Sequence, residues 1–240
     1  MKKYFVVADV HGFYNEMIKA LNENGFDINN PDHIFISLGD LLDRGRQPKE
    51  CLNFVNNLPD DRKILICGNH EDLLNETIKV GYFDNYDYSN GTAQTILDLY
   101  DSSTESGYIA EQTLTDFIAK FEPWLTYWNS LVNYAEIEDK IFVHGWIPSF
   151  YAYGKLNVEK DWKNGDWDRA KWLNGMGAWN DGAKLDDKTI YCGHWHTEWG
   201  HTNLHNKEEK IFDPFIDDGI VALDACTVLS KKCNCITFEV

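Results

Sequence analysis

Three apolar runs near the start of the chain do not alternate, and each ends abruptly on a polar loop. Tyr4-Phe5-Val6-Val7-Ala8 leads into Asp9-Val10-His11-Gly12. Ile34-Phe35-Ile36-Ser37-Leu38 leads into Gly39-Asp40-Leu41-Leu42-Asp43-Arg44-Gly45. Lys63-Ile64-Leu65-Ile66-Cys67 leads into Gly68-Asn69-His70-Glu71. Unbroken runs of this length predict strands buried on both faces. Helical spacing follows each loop. Phe13, Met17, Ile18 and Leu21 share a face, with Gly25 as the stop; Leu52 and Val55 point inward from a helix over 48–58; a third helix runs over 72–80. Three successive β-loop-α units predict a parallel sheet with helices on its faces. In such sheets functional side chains collect on the loops after the carboxyl ends of strands.

The pattern changes over 81–130, which is rich in Tyr, Asn, Asp, Ser and Thr. Helical periodicity appears near 92–100 and 111–128. Phe117, Phe121, Trp124 and Trp128 recur at helical spacing, which reads as core packing. This stretch predicts a helical insertion beside the site, within one domain spanning 1–240. Residues 131–137 and 141–143 predict a hairpin turning at Glu138-Asp139-Lys140 and ending at His144-Gly145. Residues 149–176 read as a loop forming one wall of a cleft. Thr189-Ile190-Tyr191-Cys192 predicts a strand ending at Gly193-His194-Trp195-His196. Residues 201–218 read as a long polar loop, and 220–224 and 235–238 as closing antiparallel strands.

At 240 residues and 43% apolar, the chain is large enough for one domain with a full core. Its net charge of -17 argues against a nucleic-acid surface, which needs clustered Lys and Arg, and against an anionic membrane. Part of that acidity is expected to surround cations. The six cysteines form no CxxC pair, and Cys233-Asn234-Cys235 is a weak zinc pattern, so a reducing, cytoplasmic setting is expected. The apolar run after Lys2-Lys3 is too short for a signal peptide, and no run approaches the ~20 apolar residues of a membrane helix.

Five of the eight histidines directly follow apolar strands: His11, His70, His144, His194 and His196. His33, His201 and His205 read as surface or loop residues. If the loops converge, Asp, His and Asn form a hard-to-borderline donor set suited to Mn²⁺ first, with Fe, Zn²⁺, Co²⁺ or Ni²⁺ as alternatives. The donors are too many for one ion. Asp40 is placed to bridge two, and a water bridged in this way becomes a hydroxide nucleophile near neutral pH. His70, next to the Asn69 ligand, is the candidate general acid, with Asp43 orienting it. Arg44 offers a planar fork for two phosphate oxygens.

In order, Asp9-Val10-His11, the GDxxDRG of 39–45, the GNHE of 68–71, His144-Gly145 and Gly193-His194-(x)-His196 resemble the signature of calcineurin-like metallophosphoesterases. The form of the second and third motifs resembles the compact bacterial and phage branch of phosphoprotein phosphatases. The likeness covers nearly the whole chain. It implies a four-layer α/β/β/α sandwich with two central mixed sheets. It also implies one metal on Asp9, His11 and Asp40, and a second on Asp40, Asn69, His144 and His194. Its proton donor would be His70, with Asp43 as partner and Arg44 binding phosphate. The chain departs from that branch at Trp195-His196, where Thr and Pro are usual. The wider superfamily has GHxH, which makes His196 a further candidate ligand. A second substrate arginine is expected between His144 and His194; Arg169 is the candidate and Lys171 the fallback, with Asn69 also facing substrate.

The expected activity is phosphomonoester hydrolysis on phosphoserine and phosphothreonine proteins or on small phosphoesters. Dinucleoside tetraphosphate hydrolysis is the alternative. A non-catalytic metal-binding protein on the same fold is a third reading, disfavoured because Asp40, Asn69 and His70 are all present. Neither nucleic acid nor membrane is an expected partner.

Overall fold

A computed structural model of the chain describes residues 1–99, 114 and 122–240. Its strands in chain order are β1 (Lys3–Val7), β2 (His33–Ser37), β3 (Lys63–Ile66), β4 (Leu131–Val132), β5 (Ala135–Ile137), β6 (Lys140–Phe142), β7 (Ser149–Ala152), β8 (Lys155–Val158), β9 (Thr189–Cys192), β10 (Phe215–Asp217), β11 (Ile220–Ala222) and β12 (Cys235–Glu239). The helices described are α1 (Tyr14–Glu23), α2 (Pro48–Asn57), α3 (Asn69–Val80), α4 (Asn85–Asn90), α5 (Thr92–Leu99), α6 (Glu122–Ser130), α7 (Trp167–Ala170), α8 (Gly175–Asn180), α9 (Thr197–Asn203) and α10 (Thr227–Ser230).

The strands form two five-stranded mixed sheets, ordered β12-β1-β2-β3-β4 and β10-β11-β9-β6-β5, and a separate β7-β8 ribbon. Because side chains alternate across a strand, each buried strand serves two cores. Val6, Ile36 and Ile66 meet Phe142, Tyr191 and Val221 between the sheets. On the far face of the first sheet, Phe5, Val7, Phe35 and Leu65 pack on Met17 and Leu21 of α1, Leu52 and Val55 of α2, and Trp124 of α6. On the far face of the second, Ile141, Ile190 and Ile220 pack on Trp146, Trp167 and Met176. This is a four-layer α/β/β/α sandwich, and the unbroken apolar runs follow from strands covered on both sides.

Within the first sheet β1, β2, β3 and β4 are mutually parallel. In the second, β6, β9 and β11 are parallel. The loops carrying Asp9, Asp40, Asn69, His144, His194 and Asp224 therefore all leave the carboxyl ends of parallel strands.

Several expectations are corrected. Residues 131–137 are not one arm of a hairpin. Leu131–Val132 adds to the first sheet beside β3, and only Ala135–Ile137 turns back on β6 in the second. Tyr134 lies at this crossover and stacks on Trp167. Strand β12 is antiparallel to β1, whereas β11 is antiparallel to β10 but parallel to β9, so the closing strands do not pair with each other. Residues 149–176 hold the β7-β8 ribbon and short helices, and 201–218 hold the end of α9 and β10. His33 starts β2 and is not a loop residue. Helix α3 begins at Asn69, not at 72. The periodicity over 111–121, including Phe117 and Phe121, lies outside the described residues apart from Leu114.

Candidate metal centre

The loops interlock through their backbones before any side chain takes part. The N–H groups of Asp9, His11 and Gly12 donate to the carbonyls of Gly39, Asp40 and Leu41, at 3.2, 2.9 and 2.8 Å. Gly193 donates to the His144 carbonyl at 2.7 Å. Asp9, His11, Asp40, Asp43, Arg44 and His194 all have positive φ, between 49° and 66°. That region is costly for non-glycine residues and is tolerated best by Asp, Asn and His; such outliers gather where surrounding structure enforces them. Gly68 leaves room for the approach: a Cβ there would overlap the Asp40 carboxylate.

Side chains then converge on Asp40. His11, Asp40 and His70 present donor atoms within 4.8 Å of one another, and so do Asp40, His144 and His194. Asp40 belongs to both groups. His144 donates from Nδ1 to the Leu38 carbonyl at 2.8 Å, and His11 Nδ1 lies 3.2 Å from the Leu42 carbonyl. Those bonds fix the tautomer and turn each Nε2 lone pair inward, as the outer partners of metal-binding histidines do. The His144 Nε2 meets the Asn69 Oδ1 at 2.8 Å. With this amide orientation two lone pairs face each other, a contact that a proton or a cation reconciles. His194 donates its backbone N–H to both oxygens of Asp9, at 3.1 and 3.0 Å.

The electrostatics point the same way. Burial pushes the Asp9 carboxyl well above its usual range, and the charges of Asp224 and Asp40 add to it. Burial also raises Asp224. Asp40 is the exception. Burial would raise it, but His144, His70, His11 and His194 together hold it low. His194 is pushed down to about 3, by burial first and then by His144; His11 is also lowered well below its usual range by burial. Buried carboxylates beside neutral imidazoles are a donor set that a divalent cation fits.

His70, a member of the first donor group, also forms an Asp–His dyad. His70 donates from Nδ1 to Asp43 Oδ2 at 2.8 Å, and its backbone N–H donates to Asp40 Oδ1 at 3.0 Å. Burial works against the charged imidazole, but Asp40 and Asp43 outweigh it and raise the His70 pKa. Arg44 is exposed and forks across the histidines, donating to the Nε2 atoms of His11 and His70 at 2.9 and 3.0 Å.

Asp9 and His196, both expected as ligands, fall outside both donor groups. The His196 side chain is 45% exposed, with Nε2 3.8 Å from Asp224 Oδ2. It lines a cavity of 220 Å³ with His11, Arg44 and Asp224, outside both donor groups. Arg169 is exposed on α7, where its backbone N–H is capped by Asp166, and it makes no hydrogen bond to the centre. Lys171 is buried and donates to Asp72 Oδ2 at 2.6 Å.

Two residues escaped the motif reading. Glu71 accepts from the N–H groups of Asp40, Leu41 and Gly68, at 2.9, 2.9 and 2.8 Å. Its position three residues after the helix N-cap was the signal, since a Glu there reaches back to the cap. Asp224 follows the apolar run 220–223 just as Asp9 follows its own.

The family model of calcineurin-like phosphoesterases matches residues 2–218, and the chain belongs to that family. It is 39% identical over 71 residues to the symmetrical bis(5'-nucleosyl)-tetraphosphatase of Buchnera aphidicola, a match covering 30% of this chain and 24% of that protein. It is 39% identical over 69 residues to serine/threonine-protein phosphatase PP1-delta of Caenorhabditis elegans, covering 28% and 22%. The matched stretch thus spans about a quarter of the length of these relatives. A solved cold-active protein tyrosine phosphatase superposes on all of this chain and on 74% of its own, with a TM-score of 0.61 at 17% identity, a likeness of fold.

Proposed function

We propose that the chain is a metal-dependent phosphoric monoester hydrolase of the serine/threonine phosphatase kind, built as one domain over 1–240 with a helical insertion at about 81–130. The observation that supports it most is the membership of Asp40 in two donor groups, the first of which includes His70 of an Asp–His dyad. One divalent ion would be held by Asp9, His11 and Asp40, with His196 as a further candidate. A second would be held by Asp40, Asn69, His144 and His194. Mn²⁺ is the proposed ion. Such ions, when bound, supply Lewis acidity to a phosphoryl oxygen and lower the pKa of a water.

The chain's own residues do the rest. Arg44 turns its fork from the two imidazoles to two oxygens of the phosphate, a geometry that a lysine cannot match. That frees His70 Nε2, which accepts from Arg44 in the free protein, to take up a proton and deliver it to the leaving alkoxide. Asp43 holds the ring in place and favours its charged form. Asn69 faces the substrate as well, and Arg169, exposed on α7, is the candidate second substrate arginine.

Dinucleoside tetraphosphate hydrolysis is the second reading, favoured by the 39% identity to a protein named for that activity. Charge argues against it. The net charge is -17, and Lys171 is tied to Asp72. The six free thiols suit a reducing cytosol, the proposed location. Among the described residues no helix is long and apolar enough to cross a membrane.

The test is a substrate panel with Mn²⁺: a phosphothreonine peptide, p-nitrophenyl phosphate and diadenosine tetraphosphate. The monoesters should turn over fastest. A preference for the dinucleotide would overturn the first choice in favour of the second.

A further inference from the structure

The helical segment after 81 meets the acid dyad at the corner Asn90-Gly91-Thr92. Gly91 has φ +97°, and a Cβ there would press on the backbone nitrogen of Arg44. This close approach brings the first residue of α5 onto Asp43. Thr92 is fully buried, and its hydroxyl donates to Asp43 Oδ2 at 2.8 Å. The Asn90 side-chain amide donates to that hydroxyl at 3.4 Å, which leaves the hydroxyl proton for Asp43.

Asp43 itself is 0% exposed. Its Oδ2 accepts from both His70 Nδ1 and Thr92, while its Oδ1 has no hydrogen-bond partner among the described residues. The carboxylate is thus oriented through one oxygen, by two donors from different parts of the chain. Removing the hydroxyl leaves His70 as its sole hydrogen-bonding partner among the described residues, and ring and carboxylate are then free to turn together.

We propose that Thr92 is a positioning residue for proton transfer: its buried hydroxyl fixes Asp43 and, through it, the angle at which His70 presents its proton to the leaving group. The helical segment is thereby part of the proton-transfer apparatus. The proposal rests on the assignment of His70 as the general acid.

The experiment compares Thr92→Val, which keeps the shape, Thr92→Ser, which keeps the hydroxyl, and His70→Asn. Two substrates are used: a phosphothreonine peptide, whose alkoxide needs a proton, and p-nitrophenyl phosphate, whose phenolate does not. Thr92→Val should lower kcat on the peptide about tenfold, against the ~10²-fold or more that a missing general acid costs, and move p-nitrophenyl phosphate by less than about twofold. KM should stay level and Thr92→Ser should restore the rate. Independently of activity, the Nδ1–H proton resonance of His70, assigned by its loss in His70→Asn, should broaden or shift in Thr92→Val and persist in Thr92→Ser. Equal losses on both substrates, or no loss, overturn the role of Thr92 if His70→Asn does discriminate between them. If His70→Asn does not discriminate, the acid assignment falls and takes this proposal with it.

Discussion

The Glu71 carboxylate accepts from four donors: the N–H groups of Asp40, Leu41 and Gly68, and the Tyr127 hydroxyl at 2.9 Å. It ties the loop after β2 to the first turn of α3 and, through Tyr127, to α6. Glu71→Gln would turn an amide N–H₂ toward at least one of these donors. The expected loss is about 2–4 kcal/mol by urea unfolding, because buried donors are left unpaired. Tyr127→Phe removes one bond and should cost only about 1 kcal/mol. At the reaction itself, His70→Asn should lower turnover on phosphothreonine peptide by ~10²–10⁴ while two ions per chain remain bound; loss of metal instead would make His70 a ligand. Residue types were the most legible feature of the chain. Asp9, His11, Asp40, Asn69, His144 and His194 stand out because each ends an apolar run. Thr92, and the bonds of Glu71 to Asp40 and Leu41, do not, because they depend on which buried N–H or carboxylate is met, and that is set by packing between segments 30 or more residues apart.

At the scale of elements, the first three β-loop-α units were legible because both faces of their strands are covered, which makes the runs unbroken. The later elements were less so. Strand β4 has two residues, and nothing in Leu131-Val132 says which sheet it joins. Helix α9 buries only Thr197 and Gly200, so it carries no apolar stripe to read. The two halves of the centre ride on different sheets, and their register depends on what lies between them. Ile36, buried between the sheets, should cost about 2–5 kcal/mol on truncation to Ala, read by chemical denaturation. A second link is Lys171, which joins the segment behind His144 to α3 through Asp72. Asp72→Ala strands a buried ammonium and should destabilise by about 3 kcal/mol, whereas Lys171→Met, which removes the buried charge, should cost markedly less. The reverse order would show that the pair contributes chiefly through packing of the lysine stem.

Over the whole molecule, acidic charge is concentrated by the fold as well as by composition. Asp9, Asp40 and Asp224 are all buried around one set of imidazoles, and burial raises Asp9 and Asp224. A bound cation relieves that repulsion in the folded state alone, so it stabilises the fold by mass action. Chelation should therefore lower Tm, and Mn²⁺ should restore it in a concentration-dependent way. The net charge of -17 gave a hint of this but could not locate it, since most of the described acidic residues are not buried. Whether Asp40 is shared by two ions is decided by the metal content of wild type and Asp40→Asn after equilibration with Mn²⁺. Two ions per chain are expected in wild type and almost none in a folded Asp40→Asn protein. A wild type that holds one ion, or an Asp40→Asn protein that keeps one, would contradict that sharing.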